Sequence, residues 1–530
     1  MYDLLIKNAK IVDGTRSPWY MADLAVKDGK IALIGRALNV SAAGTVDAEG
    51  KILAPGFIDI HSHSDFSILG HKLSESRILQ GITTELGGDC GLSPMPVNPE
   101  KAELLKQYVS FLCNDVDFDW TDAKGFLDKV EANGTSVNFA TMAGHGSIRL
   151  AVMGFSEKDP TPDELEQMRK LTSECMKQGC YGLSTGLIYS PGCFSKSGEI
   201  IELAKVVASY GGFYESHMRD EGDNILDSVE DTIEVGEKAG LPAQIVHHKV
   251  RGRKNWKYKS HATVARVARA REQGIDVTVD QYPYCASATT LTSSLPVWTL
   301  EGGGIGAMLT RLKDPETRKK IKFEMRQHAE RDQTQWSDVF ISSVPGEKNA
   351  WVKGKNIEEI ARKLSKDPID AIIDLLIEEK GNVSEIAFGM CEEDVMYIMK
   401  QPFVMTGSDG SGIPLNTKDV PHPRNFGAFP RVISEYCRDR QLFSLETAIN
   451  KMTGMPAARI GLTDRGVIKA GMWADLVLFD FDKIKDTPSY TKPAVACEGI
   501  LRVYVNGVLT AKDGVHTGAA AGKVLRKSRT

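Results

Sequence analysis

Eight apolar, strand-like runs alternate with helical stretches, and this alternation constrains the fold more than any other feature of the sequence. The runs are Phe57 to His63, Ile82 to Gly88, Val137 to Ala143, Tyr181 to Thr185, Gly212 to His217, Ala243 to His248, Ile275 to Gln281 and Phe403 to Asp409. Helical stretches such as Thr161 to Gln178 and Asn224 to Ala239 lie between them. Because such alternation is typical of parallel β/α units, the sequence predicts an α/β fold with a (β/α)8 TIM-like barrel.

The segments outside these runs predict three further features. Residues 1–53 contain short strand-like runs separated by tight turns, and a similar composition returns after residue 463, so we expect a small antiparallel β-domain built from 1–53 and 463–530. The barrel then occupies residues 54–462. The interval before the last run is far longer than one crossover helix, which predicts an inserted, mostly helical subdomain at about 290–400. The small and basic residues 518–530 predict a loosely ordered tail.

Composition narrows the class of partner. The net charge of -5 shows no basic excess, so we expect no nucleic-acid partner. No uncharged apolar stretch of about 18 residues occurs, so we expect no membrane span. The nine cysteines are odd in number and form no C-x-x-C pairs, which is typical of a reducing, cytoplasmic protein. A small molecule is the expected partner.

Residues able to bind a divalent metal stand at the ends of several runs. His61 and His63 are one residue apart, so in an extended strand both imidazoles would project from one face. Further candidates are Cys90, His217, His247, His248 and Asp409. Taken singly, Cys90 could be a buried thiol and Asp409 a cap. Five of the chain's 11 histidines lie at these strand ends, however, and together the residues form the ligand set of a zinc-type hydrolase.

Six motifs carry a resemblance to a known family. They are Pro55-Gly56-Phe57-Ile58-Asp59-Ile60-His61-Ser62-His63-Ser64-Asp65, Gly88-Asp89-Cys90-Gly91, His247-His248-Lys249, Tyr282-Pro283-Tyr284, Gly407-Ser408-Asp409-Gly410 and His422-Pro423-Arg424. With these motifs, nearly the whole chain resembles the amidohydrolase superfamily and, within it, the D-aminoacylases. The resemblance implies a zinc-dependent enzyme that hydrolyses the linear amide of N-acyl-D-amino acids.

The resemblance also implies roles for the metal-binding candidates. Cys90, His217 and His247 match the ligands of a tightly held zinc, while His61, His63 and Asp409 would line a second, weaker site. Asp409 would act as general base towards water and then as general acid towards the leaving amine. Of the adjacent histidine pair, strand alternation favours His247, because His248 would point to the opposite face.

The implied substrate has a free carboxylate, which needs a cation. Lys249 and Arg424 are the cations we assign to it, although Arg424 could instead pair with a neighbouring acid such as Asp419. Tyr189 and Tyr282 match family positions that contact substrate. Cys285 stands where the family often has threonine after Tyr-Pro-Tyr, and we take Ser287 as the contacting serine.

Two alternatives stay open at this point. A cyclic amidohydrolase of the hydantoinase or dihydroorotase type shares the barrel and the H-x-H pair. Those enzymes usually bridge two metals with a carboxylated lysine on the fourth strand, whereas Tyr181 to Thr185 contains no lysine. The second alternative is a catalytically dead binding scaffold, which should have lost metal ligands, but this chain retains all six.

Overall fold

The structure is a computed structural model that describes residues 1–112 and 117–528. Each predicted run contains β-structure, and the strands are Phe57–Asp59, Ile82–Gly87, Asn138–Thr141 with Ala143–Gly144, Gly182–Gly186, Phe213–His217, Ala243–Ile245, Val277–Gln281 and Val404–Thr406. They pair in parallel as two sheets, which we call the parallel sheets. A parallel bridge between Ser62 and Gly410 links the ends of the first and last strands. Their carboxyl ends therefore lie at one edge.

Helices follow most of these strands. They are Glu75–Ile78, Ala102–Val109, Ala123–Asn133, His145–Met153, Pro162–Lys177, Ser197–Ala208, Ile225–Ala239, Lys259–Glu272, Glu392–Met399, Arg424–Arg431 with the π-helical Val432–Asp439, Leu445–Met452 and Gly454–Ile460. Thr161 shows how the sequence starts one of them: its hydroxyl accepts the N–H of Glu164, whose carboxylate accepts the N–H of Thr161 in return. Within the described ranges, no helix has the length and apolar character needed to cross a bilayer.

Strands from both ends of the chain share one sheet. The strands are Tyr2–Ile11, Tyr20–Lys27, Lys30–Gly35, Ala42–Asp47, Ile52–Pro55, Leu476–Phe479, Ile500–Val505, Val508–Lys512 and Val515–His516. Leu476–Phe479 pairs with Ile52–Pro55 and so joins the two ends. The sheet is not wholly antiparallel, because Tyr2–Ile11 runs parallel to both Ala42–Asp47 and Ile52–Pro55.

The segment before the last parallel strand contains four α-helices and a small antiparallel sheet. Its helices are Gly304–Lys313, Pro315–Asp332, Ile357–Leu364 and Pro368–Glu378, and its antiparallel sheet contains Ala286–Thr290, Val339–Ser343 and Ser384–Phe388. We call residues 286–388 the inserted segment. The expectation of a mostly helical subdomain from about 290 was incomplete, because these short strands are rich in Ala, Ser and Thr and lack a clear apolar alternation. A separate core that includes Ile341, Ile372 and Leu376 holds the segment together.

The tail is docked rather than loose. Phe139 donates its N–H to the carbonyl of Lys523 at 2.9 Å and accepts the N–H of Leu525 at 2.7 Å. Gly522 permits the close approach, since a Cβ at this position would lie 1.9 Å from the carbonyl oxygen of Val137. The expectation of a loosely ordered tail was therefore wrong for residues 518–528, while residues 529 and 530 lie outside the described residues.

Candidate metal centre and substrate cavity

Six side chains predicted to bind metal converge at the carboxyl edge of the parallel sheets. His61 and His63 follow the first strand, Cys90 follows the second, His217 ends Phe213–His217, His247 follows Ala243–Ile245, and Asp409 follows Val404–Thr406. None of the six is more than 7% exposed. Parallel pairing brings together residues that are far apart in sequence because it sets the strand ends side by side.

Three of these residues, His61, His63 and Asp409, form one compact group, whose donor atoms lie within 4.8 Å of one another. Oδ1 of Asp409 is 3.2 Å from Nε2 of His63 and 3.6 Å from Nε2 of His61. These are the residues predicted to line the weaker metal site.

The residues predicted for the tight site meet at one ring nitrogen. Nε2 of His247 lies 3.4 Å from Sγ of Cys90 and 2.8 Å from Nδ1 of His217. Sγ of Cys90 is also 3.4 Å from Nε2 of His61, which connects the two predicted sites. His248 turns away, with its Nε2 2.9 Å from Oγ1 of Thr263 on the helix Lys259–Glu272. Cys90, His217 and His247 are thus joined pairwise through His247.

The spacing of the donor atoms fits a zinc site. Atoms that share one zinc ion at about 2.0–2.3 Å in a tetrahedron lie roughly 3.3–3.7 Å from one another. The separations of Cys90 from His61 and His247, both 3.4 Å, and of Asp409 from His61, 3.6 Å, agree with this spacing. The Asp409 to His63 and His217 to His247 separations, 3.2 and 2.8 Å, are shorter. Imidazole, thiolate and carboxylate are also the ligand types that zinc takes in proteins.

The protonation states of three of the four predicted histidine ligands suit a cation as well. Burial lowers the pKa of His63, His217 and His247, so their imidazoles are neutral and each keeps a lone pair for a metal. Burial alone would also lower the pKa of His61, but the carboxylates of Asp280 and Asp409 raise it to about 9. The site therefore stabilises positive charge at its centre.

The sequence interpretation missed two acids that hold these ligands. Oδ1 of Asp280 accepts the backbone N–H of His247 at 2.8 Å and lies 3.6 Å from Nδ1 of His61. Glu221 lies 3.3 Å from Nδ1 of His247 and forms an ion pair with Lys249. Asp280 could have been found as an acid near the end of an apolar run, whereas Glu221 stands in a polar loop without any such signal.

The backbone is strained at three of the predicted ligands. Cys90, His247 and Asp409 have φ angles of 56°, 36° and 52°, in the left-handed region that residues other than glycine rarely adopt. Strain of this kind persists only where the surrounding structure enforces it, and it clusters at functional sites. Its presence at three of the six ligands marks this edge of the sheets as a built site.

Asp409 is ionised and close to a second predicted residue. Its Oδ2 lies 2.8 Å from Nη1 of Arg424. Burial would raise the pKa of Asp409, but Arg424 and His63 outweigh it and hold the pKa well below its usual value. Asp419, the acid considered as the alternative partner of Arg424, instead pairs with Lys353 at 2.6 Å. Asp409 can therefore accept a proton at neutral pH.

The residues predicted to contact substrate share one cavity of about 850 Å³ with five of the six predicted metal ligands, all except His61. Lys249, Arg424, Tyr189, Tyr282 and Ser287 all line it. The Nζ atom of Lys249 and the Cζ atom of Arg424 lie 5.6 and 4.9 Å from the centre of the Tyr282 ring, so this ring contacts both cations. The hydroxyl of Tyr189 is 3.0 Å from Oγ1 of Thr289 in the inserted segment.

Comparison with known proteins gives matches over nearly the whole chain. Residues 44–511 match the profile described as Amidohydrolase family. The chain is 34% identical over 532 residues to D-aminoacylase of Alcaligenes xylosoxydans xylosoxydans, and the alignment covers 99% of this chain and 98% of the relative.

Two solved structures are similar in both fold and sequence. The crystal structure of D-aminoacylase, whose metal centre is described as binuclear, has a TM-score of 0.83 and 33% identity and covers 99% of this chain and 100% of its own. N-acyl-D-glutamate deacylase from Bordetella bronchiseptica, complexed with zinc and a phosphonate mimic of the tetrahedral intermediate, has a TM-score of 0.84 and 32% identity and covers 99% of each chain.

Proposed function

The chain belongs to the amidohydrolase family and, within it, to the D-aminoacylases, and from this premise we propose that it hydrolyses the amide bond of N-acyl-D-amino acids. The products are a carboxylate and a free D-amino acid. The observation that carries the proposal is that buried nitrogen, sulfur and oxygen donors converge beside a cavity whose wall also contains Lys249 and Arg424. Such a site combines metal chemistry with recognition of an anionic substrate.

The proposed architecture follows from the strand pairing. The two parallel sheets act as one (β/α)8 barrel within residues 54–462, and the bridge between Ser62 and Gly410 supports its closure. Residues 1–53 and 463–530 form a β-domain, which the shared sheet supports. The inserted segment contributes Ser287, Ser342 and Glu385 to the cavity wall, so it acts as part of the substrate site.

The metal assignment keeps the two sets of ligands. Cys90, His217 and His247 would hold the tightly bound zinc, and His61, His63 and Asp409 would line a second, weaker site. A zinc ion in such a site supplies Lewis-acid chemistry, because it makes water more acidic and polarises a carbonyl oxygen. Asp280 and Glu221 orient the imidazoles of this centre through the contacts described above.

Asp409 moves the proton in the reaction. As water attacks the acyl carbonyl, the Asp409 carboxylate takes the water's proton, and when the C–N bond breaks it returns this proton to the leaving nitrogen. The low pKa of Asp409 keeps the carboxylate ionised before the reaction. Nη1 of Arg424, 2.8 Å from Oδ2, holds the carboxylate in place against His63.

Lys249 and Arg424 bind the carboxylate of the substrate. Each already contacts an acid, Glu221 or Asp409, yet an ammonium has three N–H donors and a guanidinium five, so donors remain for a substrate oxygen. Both cations contact Tyr282, which fixes their distance from the reacting centre. Ser287 is the proposed neutral contact.

We expect the purified, zinc-loaded protein to cleave N-acetyl-D-amino acids and to leave their L forms and cyclic imides nearly untouched. The D preference is expected from the similarity to D-aminoacylase. Lys249 and Arg424 bind the carboxylate and the metal centre binds the amide, so the side chain on the α-carbon is the third contact that distinguishes the two enantiomers. Steady-state rates on D, L and hydantoin substrates measure this. Faster cleavage of the hydantoin would instead favour the cyclic amidohydrolase alternative.

We expect Arg424→Ala to reduce kcat/KM for the free acid more than for the corresponding methyl amide. Loss of one charge-assisted hydrogen bond costs about 1.5–3 kcal/mol, or roughly 10- to 200-fold. Because Arg424 also contacts Asp409, the variant should slow both substrates, and the ratio between them isolates carboxylate binding. Arg424→Lys should recover part of the ratio, and Arg253→Ala, which removes an exposed arginine paired with Asp338, should leave it unchanged. Equal slowing of acid and amide would contradict the assignment.

A further inference from the structure

One part of the cavity wall has no role in the proposed reaction. It contains Glu385, Arg251 and the hydroxyls of Ser293, Ser342 and Ser384, and we call these five residues the polar wall. Glu385 is only 3% exposed, yet its Oε2 has no hydrogen-bond partner among the described residues. Its Oε1 accepts the hydroxyl of Ser293 at 3.3 Å. A buried carboxylate oxygen without a partner is costly, so the polar wall is built to receive a donor from a ligand.

The strand register puts Glu385 beside the proposed substrate contacts. Thr289 lies directly opposite Glu385 in the antiparallel sheet, and Ser287 lies opposite Ala387. Directly opposite residues share a face, so Ser287, Thr289 and Glu385 point to the same side. Residues two apart on a strand are separated by about 7 Å. Glu385 therefore lies about one side-chain length from the proposed carboxylate contact at Ser287.

Arg251 supplies the opposite charge in the same wall. It follows Lys249 by two residues, lines the cavity and is half-buried. In the part of the chain that the structure describes, its guanidinium forms no ion pair and no side-chain hydrogen bond. Burial raises the pKa of Glu385 to about 7, and the charge of Arg251 opposes this rise. The wall thus offers one acceptor atom, Oε2 of Glu385, and one donor group, the guanidinium of Arg251, for a ligand.

We propose that the polar wall binds the side chain of the D-amino acid and selects one that ends in a carboxamide, as in N-acyl-D-glutamine. The amide N–H2 donates to Glu385 and the amide oxygen accepts from Arg251. A cationic side chain would pair with Glu385 but be repelled by Arg251, an anionic one would pair with Arg251 but be repelled by Glu385, and an apolar one would leave both unpaired. This inference rests on the proposed function, because it assumes that the α-carboxylate binds at Lys249, Ser287 and Arg424.

The test compares kcat/KM of the zinc-loaded protein for the N-acetyl derivatives of D-glutamine, D-methionine, D-lysine and D-glutamate. Methionine matches glutamine in length but has no amide, so wild type should prefer glutamine at least about tenfold. Glu385→Leu should reduce the glutamine-to-methionine ratio about tenfold or more, and Arg251→Leu, at a half-buried position, should do so without disturbing the core. Glu378→Leu is the matched control, since Glu378 belongs to the same segment but pairs with Lys348 outside the cavity.

Each result decides the proposal. A preference for methionine, lysine or glutamate would overturn it, as would an unchanged ratio in both Glu385→Leu and Arg251→Leu. If Glu385→Leu fails to fold, Glu385→Gln keeps the shape, and its ratio for glutamine should still fall because the charge is lost. If the protein cleaves N-acyl-D-amino acids but glutamine does not have the highest kcat/KM, only the role proposed for the polar wall is refuted. If it cleaves none of them, the proposed function is refuted as well.

Discussion

Asp409→Asn is expected to fold, to keep the zinc bound at Cys90, His217 and His247, and to lose about 10²–10⁴-fold in kcat. The amide has the shape of the carboxylate, and its single oxygen can accept from Arg424 while its NH2 group faces Nε2 of His63. It cannot take a proton, however, because a neutral amide is not basic at neutral pH, whereas the Asp409 carboxylate is ionised, as its low pKa shows, and has a free lone pair for the proton. Steady-state kinetics on an N-acetyl-D-amino acid, together with the zinc content of the same preparation, measures both effects.

A matched acid-to-amide change serves as the control. Asp276→Asn removes a half-exposed carboxylate that pairs with Arg459. Asp276 directly precedes the strand Val277–Gln281, so it lies at the amino end of the strand, opposite the site. It should leave kcat unchanged. An Asp409→Asn variant within about tenfold of wild type would place the base on another residue, and Glu221 would then be the first to test, since it lies next to His247 and Lys249.

Local sequence pattern predicts the strands and the ligands that stand at their ends. The run Phe57 to His63 is apolar until its polar end, and the same change occurs near His217, His247 and Asp409. Parallel strands all present their carboxyl ends at one edge. A residue at the end of such a strand is therefore placed near the centre by its position in the sequence alone. The alternation of strand side chains was also enough to favour His247 over His248, which contacts Thr263 on an outer helix.

The remaining features depend on contacts that no local pattern encodes. The ion pair of Arg424 with Asp409, and the support of His61 by Asp280, join residues from different strand ends, so they follow only from the assembled sheets. The left-handed φ of Cys90 or His247 is imposed by the same packing, against the preference of the residue itself. The strands of the inserted segment escaped prediction for a similar reason, since their pairing partners, rather than their composition, make them strands.

Cys90→Ala is expected to remove the tightly bound zinc and, with it, nearly all activity. Sγ of Cys90 lies 3.4 Å from Nε2 of both His61 and His247, so it contacts both halves of the predicted centre. A thiolate adds a negative charge and a soft donor, neither of which a neighbouring imidazole can replace. Zinc per chain, measured after gel filtration of protein expressed with added zinc, should fall from near stoichiometric to a small fraction.

A second buried cysteine provides the control for the assignment of Cys90 as a zinc ligand. Cys175 on the helix Pro162–Lys177 is as buried as Cys90, at 2% exposed, and is remote from the metal ligands, so Cys175→Ala should keep both zinc and activity. Any loss of packing common to the two variants would appear as an equal fall in melting temperature. Because Cys90 also lies beside His61, its loss should weaken the second site as well, and added zinc should restore little activity. Full zinc occupancy in Cys90→Ala would instead make the cysteine structural and leave His61, His217 and His247 as the metal ligands.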